Sequence, residues 1–144
     1  MKLIETEIII QADIDKIWNI LTDFENYDKW NKFCPSIKTT GKIGEPLDMT
    51  VYLKKNKPTY QREIMTENAP YELGWGLNWG IFLKSHRLQR LEKMEDGQVR
   101  YYTYDKLWGL LTPLVAWLYE SAIYQGFVLT ANCLKDFAEK GRTI

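Results

Sequence analysis

Between Pro35 and Trp108 the chain alternates apolar and polar residues with few interruptions, and this restricts it to one kind of sheet. Leu47, Met49, Val51 and Leu53 alternate with Asp48, Thr50, Tyr52 and Lys54. Another strand is expected over about 59–68, Ala69-Pro70 breaks the run, and Tyr71, Leu73, Trp75, Leu77 and Trp79 share the next face. Two more strands, over about 82–94 and 98–108, are joined by Glu95-Asp96-Gly97, a hairpin signal. Period two sends successive side chains to opposite faces, so each segment reads as a half-buried strand. Turns this short allow only antiparallel pairing, because parallel neighbours need long crossovers.

The flanks differ in period. Ile4, Ile8 and Ile10 fall on one parity with Thr6, which predicts a first strand over about 3–11. Asp13 is expected to cap a short helix whose stripe is Ile14, Ile17, Trp18 and Leu21. A second short helix is expected from Asn26, burying Tyr27 and Trp30 and ended by Pro35. At the other flank, Ala116, Glu120, Ile123, Phe127, Ala131, Leu134 and Ala138 step by three and four until Gly141. That predicts one helix from about Thr112 to Lys140, with Pro113 tolerated in its first turn and Gly126 a weak point of about 1 kcal/mol relative to Ala. No repeat or linker divides the chain, so residues 1–144 read as a single domain.

The expected fold class is α+β: a curved antiparallel sheet of about seven strands around a long C-terminal helix, with two short helices between strands 1 and 2. A strongly twisted sheet curls around what covers it, and one helical cylinder cannot fill the concavity. The remainder is expected to be a cavity on the order of 300 Å³ or more. Met49, Val51, Trp75, Leu77 and Trp79 would line it from the sheet and Phe127 from the helix. The competing reading is that these side chains close-pack and leave no void.

Several local patterns fit this order. They are Ala12-Asp13 ahead of Ile17-Trp18, the segment Tyr27-Asp28-Lys29-Trp30-Asn31, and Pro70 with Leu73 and Trp75. His86-Arg87-Leu88, Asp96-Gly97, and Asp105 with Leu107 and Gly109 follow, then Gly126-Phe127 and Leu134-Lys135 with Ala138-Glu139. As an ordered set they resemble the START/polyketide-cyclase superfamily, also called SRPBCC or the birch-pollen-allergen fold, in its bacterial form. The resemblance spans nearly the whole chain and implies a helix-grip fold. It also implies a cavity for a lipid, sterol, quinone, polyketide or plant hormone. Some members are cyclases or aromatases, and many bacterial members have no assigned activity. Close relatives often carry Asn where this chain has Ala131, with Asn132 one place later.

Few residues could do chemistry. His86 is the only histidine, which removes any site needing two, and no GxSxG elbow is present to pair with it. It shares parity with Phe82 and Leu88 and is expected to point inward, as a hydrogen-bonded core residue or as a general acid or base. Because Leu88 and Leu91 fall on opposite parities, a bulge is expected after His86. Asp105 shares a face with Tyr101, Thr103 and Leu107, so its carboxylate needs a partner or a raised pKa. Arg62, on the parity of Tyr60 and Ile64, is the expected partner, in a structural ion pair or in orienting a polar group on the ligand. The glycines from Gly74 to Gly80 lie in a strand with no helix following, which argues against a nucleotide site.

Charge and hydropathy exclude further classes. The chain has 19 basic and 19 acidic side chains, whereas a nucleic-acid binder needs positive excess. Lys54, Lys55 and Lys57 read as a solvated hairpin tip. Cys34 and Cys133 match no metal spacing and are expected to be buried thiols in a reducing, cytoplasmic setting, with no metal and no cofactor. The apolar run from Leu107 is too short to span a bilayer and is apolar around more than one helical face. Trp108, Leu111 and Trp117 could therefore form a movable gate at the cavity mouth, with Gly109 as hinge, or a peripheral membrane contact. With zero net charge, such a contact is expected to respond little to salt.

Three functions follow from the sequence. The first is binding or carriage of a hydrophobic small molecule. The second is a cyclase or dehydratase using His86 and Asp105. The third is a protein- or membrane-docking module. Nothing in the pattern sets an oligomeric state.

Overall fold

The computed structural model describes residues 1–141. Its elements are β1 (Lys2–Ile10), α1 (Ile14–Thr22), a 3-10 helix (Phe24–Lys29), β2 (Ser36–Thr39), β3 (Pro46–Lys54), β4 (Lys57–Ala69), β5 (Glu72–Asn78), β6 (Lys84–Lys93), β7 (Val99–Trp108) and α2 (Thr112–Lys140). All seven strands form one antiparallel sheet in the order β1-β7-β6-β5-β4-β3-β2. The two short helices carry the chain from one edge of that sheet to the other. The first begins at Asp13 as expected, yet the Asp13 side chain makes no cap bond; its backbone carbonyl accepts from Ile17 N at 3.1 Å.

The core lies between the concave face and the helices, with Ile10, Ile17, Leu21, Leu47, Leu73 and Leu134 fully enclosed. In α2, the buried positions crowd into the C-terminal half, where Phe127, Ala131, Leu134 and Ala138 form one stripe. That half is tied to the end of β1: Lys135 Nζ donates to Ile9 O at 2.7 Å and Gln11 N donates to Glu139 Oε2 at 2.8 Å. Burying a side chain as large as Phe127 or Leu134 contributes about 1.5–3 kcal/mol. In the N-terminal half only Thr112 is buried, with Val115 and Ile123 partly covered. The helix is thus buried against the sheet at one end, while at the other it lies along the edge strand β1, where Lys2 Nζ pairs with Glu120 at 2.7 Å.

The expected bulge after His86 is absent. β6 pairs with β5 and β7 without a register shift, so Leu91 joins the core while Leu88 faces the opposite side, across from Tyr104. The irregularities sit instead on either side of β4, between Val51 and Lys54 and between Met65 and Glu67.

Gly126 is explained by packing. A Cβ on it would lie 2.2 Å from the Phe33 ring, which therefore occupies the space the glycine leaves. Phe33 in turn meets Phe127 edge-on at 6.4 Å between centroids. Gly126→Ala gains about 1 kcal/mol of helix propensity and loses about 1–3 kcal/mol to the clash. The variant is therefore expected to melt lower than wild type in denaturant titration. Adding Phe33→Leu should recover part of the loss, and a simple gain in stability from Gly126→Ala alone would contradict this packing.

Candidate functional site

Where α2 lifts away from the sheet there is a cavity of about 460 Å³. Met49 and Val51 from β3, Trp75 and Leu77 from β5, and Phe127 from α2 line its apolar wall. The cavity is not closed. Trp79, which the alternation puts on the same face, lies beyond the end of β5 at 59% exposure and forms part of the rim with Tyr60 and Tyr119.

Sheet register brings the polar side chains together. Directly opposed residues on adjacent antiparallel strands share a face, with Cβ atoms about 5 Å apart. Ile4, Asp105, Arg87, Trp75 and Met65 form one such row across five strands. Arg87 therefore points inward from the middle of β6, and it is only 8% exposed. Its guanidinium Cζ lies 4.2 Å from the Phe127 ring centroid and 5.6 Å from that of Trp75. Its Nε donates to Thr103 Oγ1 at a long 3.4 Å. A desolvated cation over aromatic faces gains about 2 kcal/mol from this arrangement.

Two carboxyls face the same space. Burial pushes the Asp105 carboxyl up to about 6, against the opposing pull of Arg87 and His86. Burial, with the neighbouring Asp105 charge, pushes Glu63 up to about 7, against the pull of Arg87. Neither carboxylate closes an ion pair with Arg87 among the described residues. Instead Arg87 Nη2 and Asp105 Oδ1 are both buried without a hydrogen-bond partner. An unmade bond at such a group costs about 1–3 kcal/mol, more where it is charged. The cavity also holds Cys34, whose thiol burial pushes up to about 12, so it is a packing group and no nucleophile.

Two expected site residues lie elsewhere, and a third, Arg62, borders the cavity with its charge turned away. Arg62 is opposite Asp48 on the outer face and pairs with it through Nε at 2.7 Å and Nη2 at 2.9 Å, so it does not partner Asp105. The inward residue is its neighbour Glu63, opposite Leu47. His86 also faces out: Nε2 lies 2.9 Å from Glu67 Oε1, and its ring meets Tyr104 edge-on. Tyr101 faces inward but is sealed in the core, donating from its hydroxyl to Gln89 Oε1 at 2.7 Å. Sequence reasoning missed Arg87, Glu63 and Phe33. The sequence signal for Arg87 was divided, since Arg87, Gln89 and Leu91 share one parity while His86 and Leu88 share the other.

The expected gate is part of a wider apolar rim. Trp108 and Leu111 are partly exposed and Trp117 is 79% exposed. The loop after β7 is clipped to the loop after β5, with Leu110 N donating to Ile81 O at 2.9 Å and Leu111 N to Phe82 O at 2.8 Å. Gly109 makes the clip possible. It has φ 116°, and a Cβ there would lie 2.6 Å from Phe82 O. It is a close-contact residue between two loops, so any movement of one loop carries the other. Among the described residues no helix is long and apolar enough to cross a membrane, and no cluster of side chains suits a metal ion.

No protein-family model and no curated protein matches the sequence. Solved structures do match, over nearly the full chain. A START superfamily protein from Mycobacterium smegmatis is 14% identical with a TM-score of 0.74, covering 96% of this chain and 97% of that one. Ara h 8.0201 is 13% identical with a TM-score of 0.71, covering 96% and 97%. The di-domain ARO/CYC BexL from the BE-7585A biosynthetic pathway is 11% identical with a TM-score of 0.75, covering 96% of this chain and 47% of that one. At these identities the likeness establishes the fold, which is the helix-grip fold that the motifs predict.

The buried carboxyls give a pH signature. Both pKa values are raised on folding, so between about pH 4 and pH 7 the folded chain holds more protons than the unfolded one. Stabilisation from these groups is complete below about pH 4 and is lost as pH rises through about 6 to 7. Its size is on the order of a few kcal/mol for the pair together. Glu63→Gln should therefore gain stability relative to wild type as pH rises from about 5 to 8, measured by thermal unfolding. A wild-type-to-variant difference that does not change with pH would show that Glu63 is solvated.

Proposed function

We propose that this domain binds an amphiphilic small molecule, of lipid, quinone or polyketide-like character, in the cavity under α2. The observation that carries the proposal is the pair of buried, unpartnered polar atoms, Arg87 Nη2 and Asp105 Oδ1, facing a largely apolar space. A folded chain tolerates two such atoms at a site that something else completes. The complementary ligand has an apolar body for Met49, Val51, Trp75 and Phe127, and a polar end with an acceptor for Arg87 and a donor for Asp105. Apolar burial supplies affinity at about 25 cal/mol per Å², and the polar pair supplies orientation. The likeness to a START superfamily protein supports this reading at the level of fold.

A second reading has one specific observation in its favour. Glu63 and Asp105 titrate near neutrality inside the cavity, which is what proton transfer to and from a bound chain requires. A cyclase or dehydratase of polyketide-like substrates would use these two carboxyls, with Arg87 holding the developing oxyanion. The likeness to BexL supports it at the level of fold. His86, on the outer face, has no part in it.

Mass spectrometry of material extracted from gently purified protein, followed by displacement of an apolar fluorescent dye, tests both readings. Arg87→Met is expected to weaken the extracted ligand about 10- to 100-fold, the worth of a lost charged hydrogen bond. His86→Ala and Arg62→Met are expected to leave it unchanged. In the catalytic case Glu63→Gln keeps binding and loses about 10² to 10⁴ in rate. Equal affinity in wild type and a folded Arg87→Met would overturn the assignment of the polar end.

A further inference from the structure

Zero net charge conceals a segregation of charge along the sheet. Because every neighbouring pair is antiparallel, β3 ends, β4 begins, β5 ends, β6 begins and β7 ends on the same side of the molecule, the side of the cavity mouth. Residues 50–62, 79–91 and 106–119, which build most of that side, contain no acid; Glu5 and Glu120 lie beside Trp117 at its β1 edge. Lys54, Lys55 and Lys57 are exposed at the β3–β4 tip, and Lys84 opens β6. None of these four lysines is in an ion pair among the described residues. Lys2 also lies on this side and pairs with Glu120 at 2.7 Å. By contrast, residues 13–29, beside the C-terminal half of α2, carry five acids against two lysines.

The same side holds the largest exposed apolar residues. Trp79, Ile81 and Phe82 come from the loop after β5, Leu110 from the loop after β7, and Leu114 and Trp117 from the first turns of α2. The backbone clip between Leu110 and Leu111 and the loop after β5 makes the two loops one surface. Monomeric proteins rarely leave so many large apolar side chains together in water. Tryptophan with lysine is the composition of a surface that enters lipid headgroups, the ring at the acyl boundary and the ammonium among phosphates.

We propose that the mouth side of this domain docks on an anionic phospholipid surface, with the lysines of the β3–β4 tip against the phosphates and the two clipped loops inserted. The acidic opposite side turns away from the same field, so docking fixes an orientation in which the mouth faces the bilayer. The inference goes beyond the cavity reading and does not depend on what fills the cavity.

Co-sedimentation with vesicles tests it, using phosphatidylcholine alone and phosphatidylcholine with roughly one-third phosphatidylglycerol, at about 25 and about 250 mM salt. Binding to the anionic vesicles at low salt is expected to exceed that to neutral vesicles by about tenfold or more, and to weaken as salt rises. Lys54→Glu/Lys55→Glu/Lys57→Glu should remove most of that advantage. Ile81→Ser/Trp117→Ser should weaken binding at both salt concentrations. All five positions are exposed, and circular dichroism together with dye binding in the cavity confirms that each variant is folded. Equal binding to neutral and anionic vesicles, no binding to either, or an insensitive lysine variant would each overturn the proposal. So would a lipid-free, concentration-dependent dimer that Trp117→Ser abolishes, since the patch would then bury itself against a second copy. Dye binding unaffected by these changes would leave the cavity reading standing.

Discussion

The C-terminal half of α2 is pressed into the concave face of the sheet through Phe127, Ala131, Leu134 and Ala138, and the rest of the molecule is arranged around that contact. Lys135 and Glu139 fix the same half to the end of β1, and Glu120 pairs with Lys2 at the start of that strand. A straight cylinder lying along one edge of a curled sheet leaves a space between itself and the other strands where it is not pressed into them. Close packing, which forbids voids elsewhere, is given up there, and the unfilled space is the cavity. Gly126 and Phe33 mark the boundary, because the ring fills the last position where helix and sheet still touch closely.

Polar groups at that divergence follow from sheet geometry. A row of opposed residues puts Arg87 beside Asp105 without any contribution from loops, so both are held by the most rigid part of the fold. Arg87 lies against two aromatic faces, which helps a buried cation persist without a closed ion pair. The cost falls on Asp105 and Glu63, whose charged forms are disfavoured by burial. The polar trio therefore weakens the empty protein as it ionises and equips the cavity to recognise something polar.

The mouth has the opposite character. Its loops are exposed and apolar, yet they are tied to each other by backbone hydrogen bonds around Gly109. Rigidity and exposure together keep hydrophobic side chains in water that a flexible loop would fold away. Access to the cavity and the nature of this surface are thereby one structural problem.

The sequence alone determined the periodicities and what they entail. Five successive half-buried strands with short turns, from β3 to β7, must pair antiparallel, and the three-and-four spacing to Gly141 required one long helix; both are present. Met49, Val51, Trp75, Leu77 and Asp105 were placed on the cavity side by alternation and Phe127 by helical spacing, and all six are found there. Tertiary structure decided which parity faces in where alternation is ambiguous. In β4, Tyr60, Arg62 and Ile64 read as the inner face, but the strand is irregular on both sides and turns Gln61, Glu63 and Met65 inward. In β6, Leu88 and Leu91 pointed to opposite faces, and only the unbroken register with both neighbours showed that Leu91 and Arg87 are inside and His86 is out. Side-chain alternation is a local property that a one-residue slip inverts, while the choice of face is made by partner strands distant in sequence. Charge segregation was hidden for the same reason: the lysines of the β3–β4 tip and the tryptophans after β5 and β7 share a side only once the sheet has brought their strand ends together.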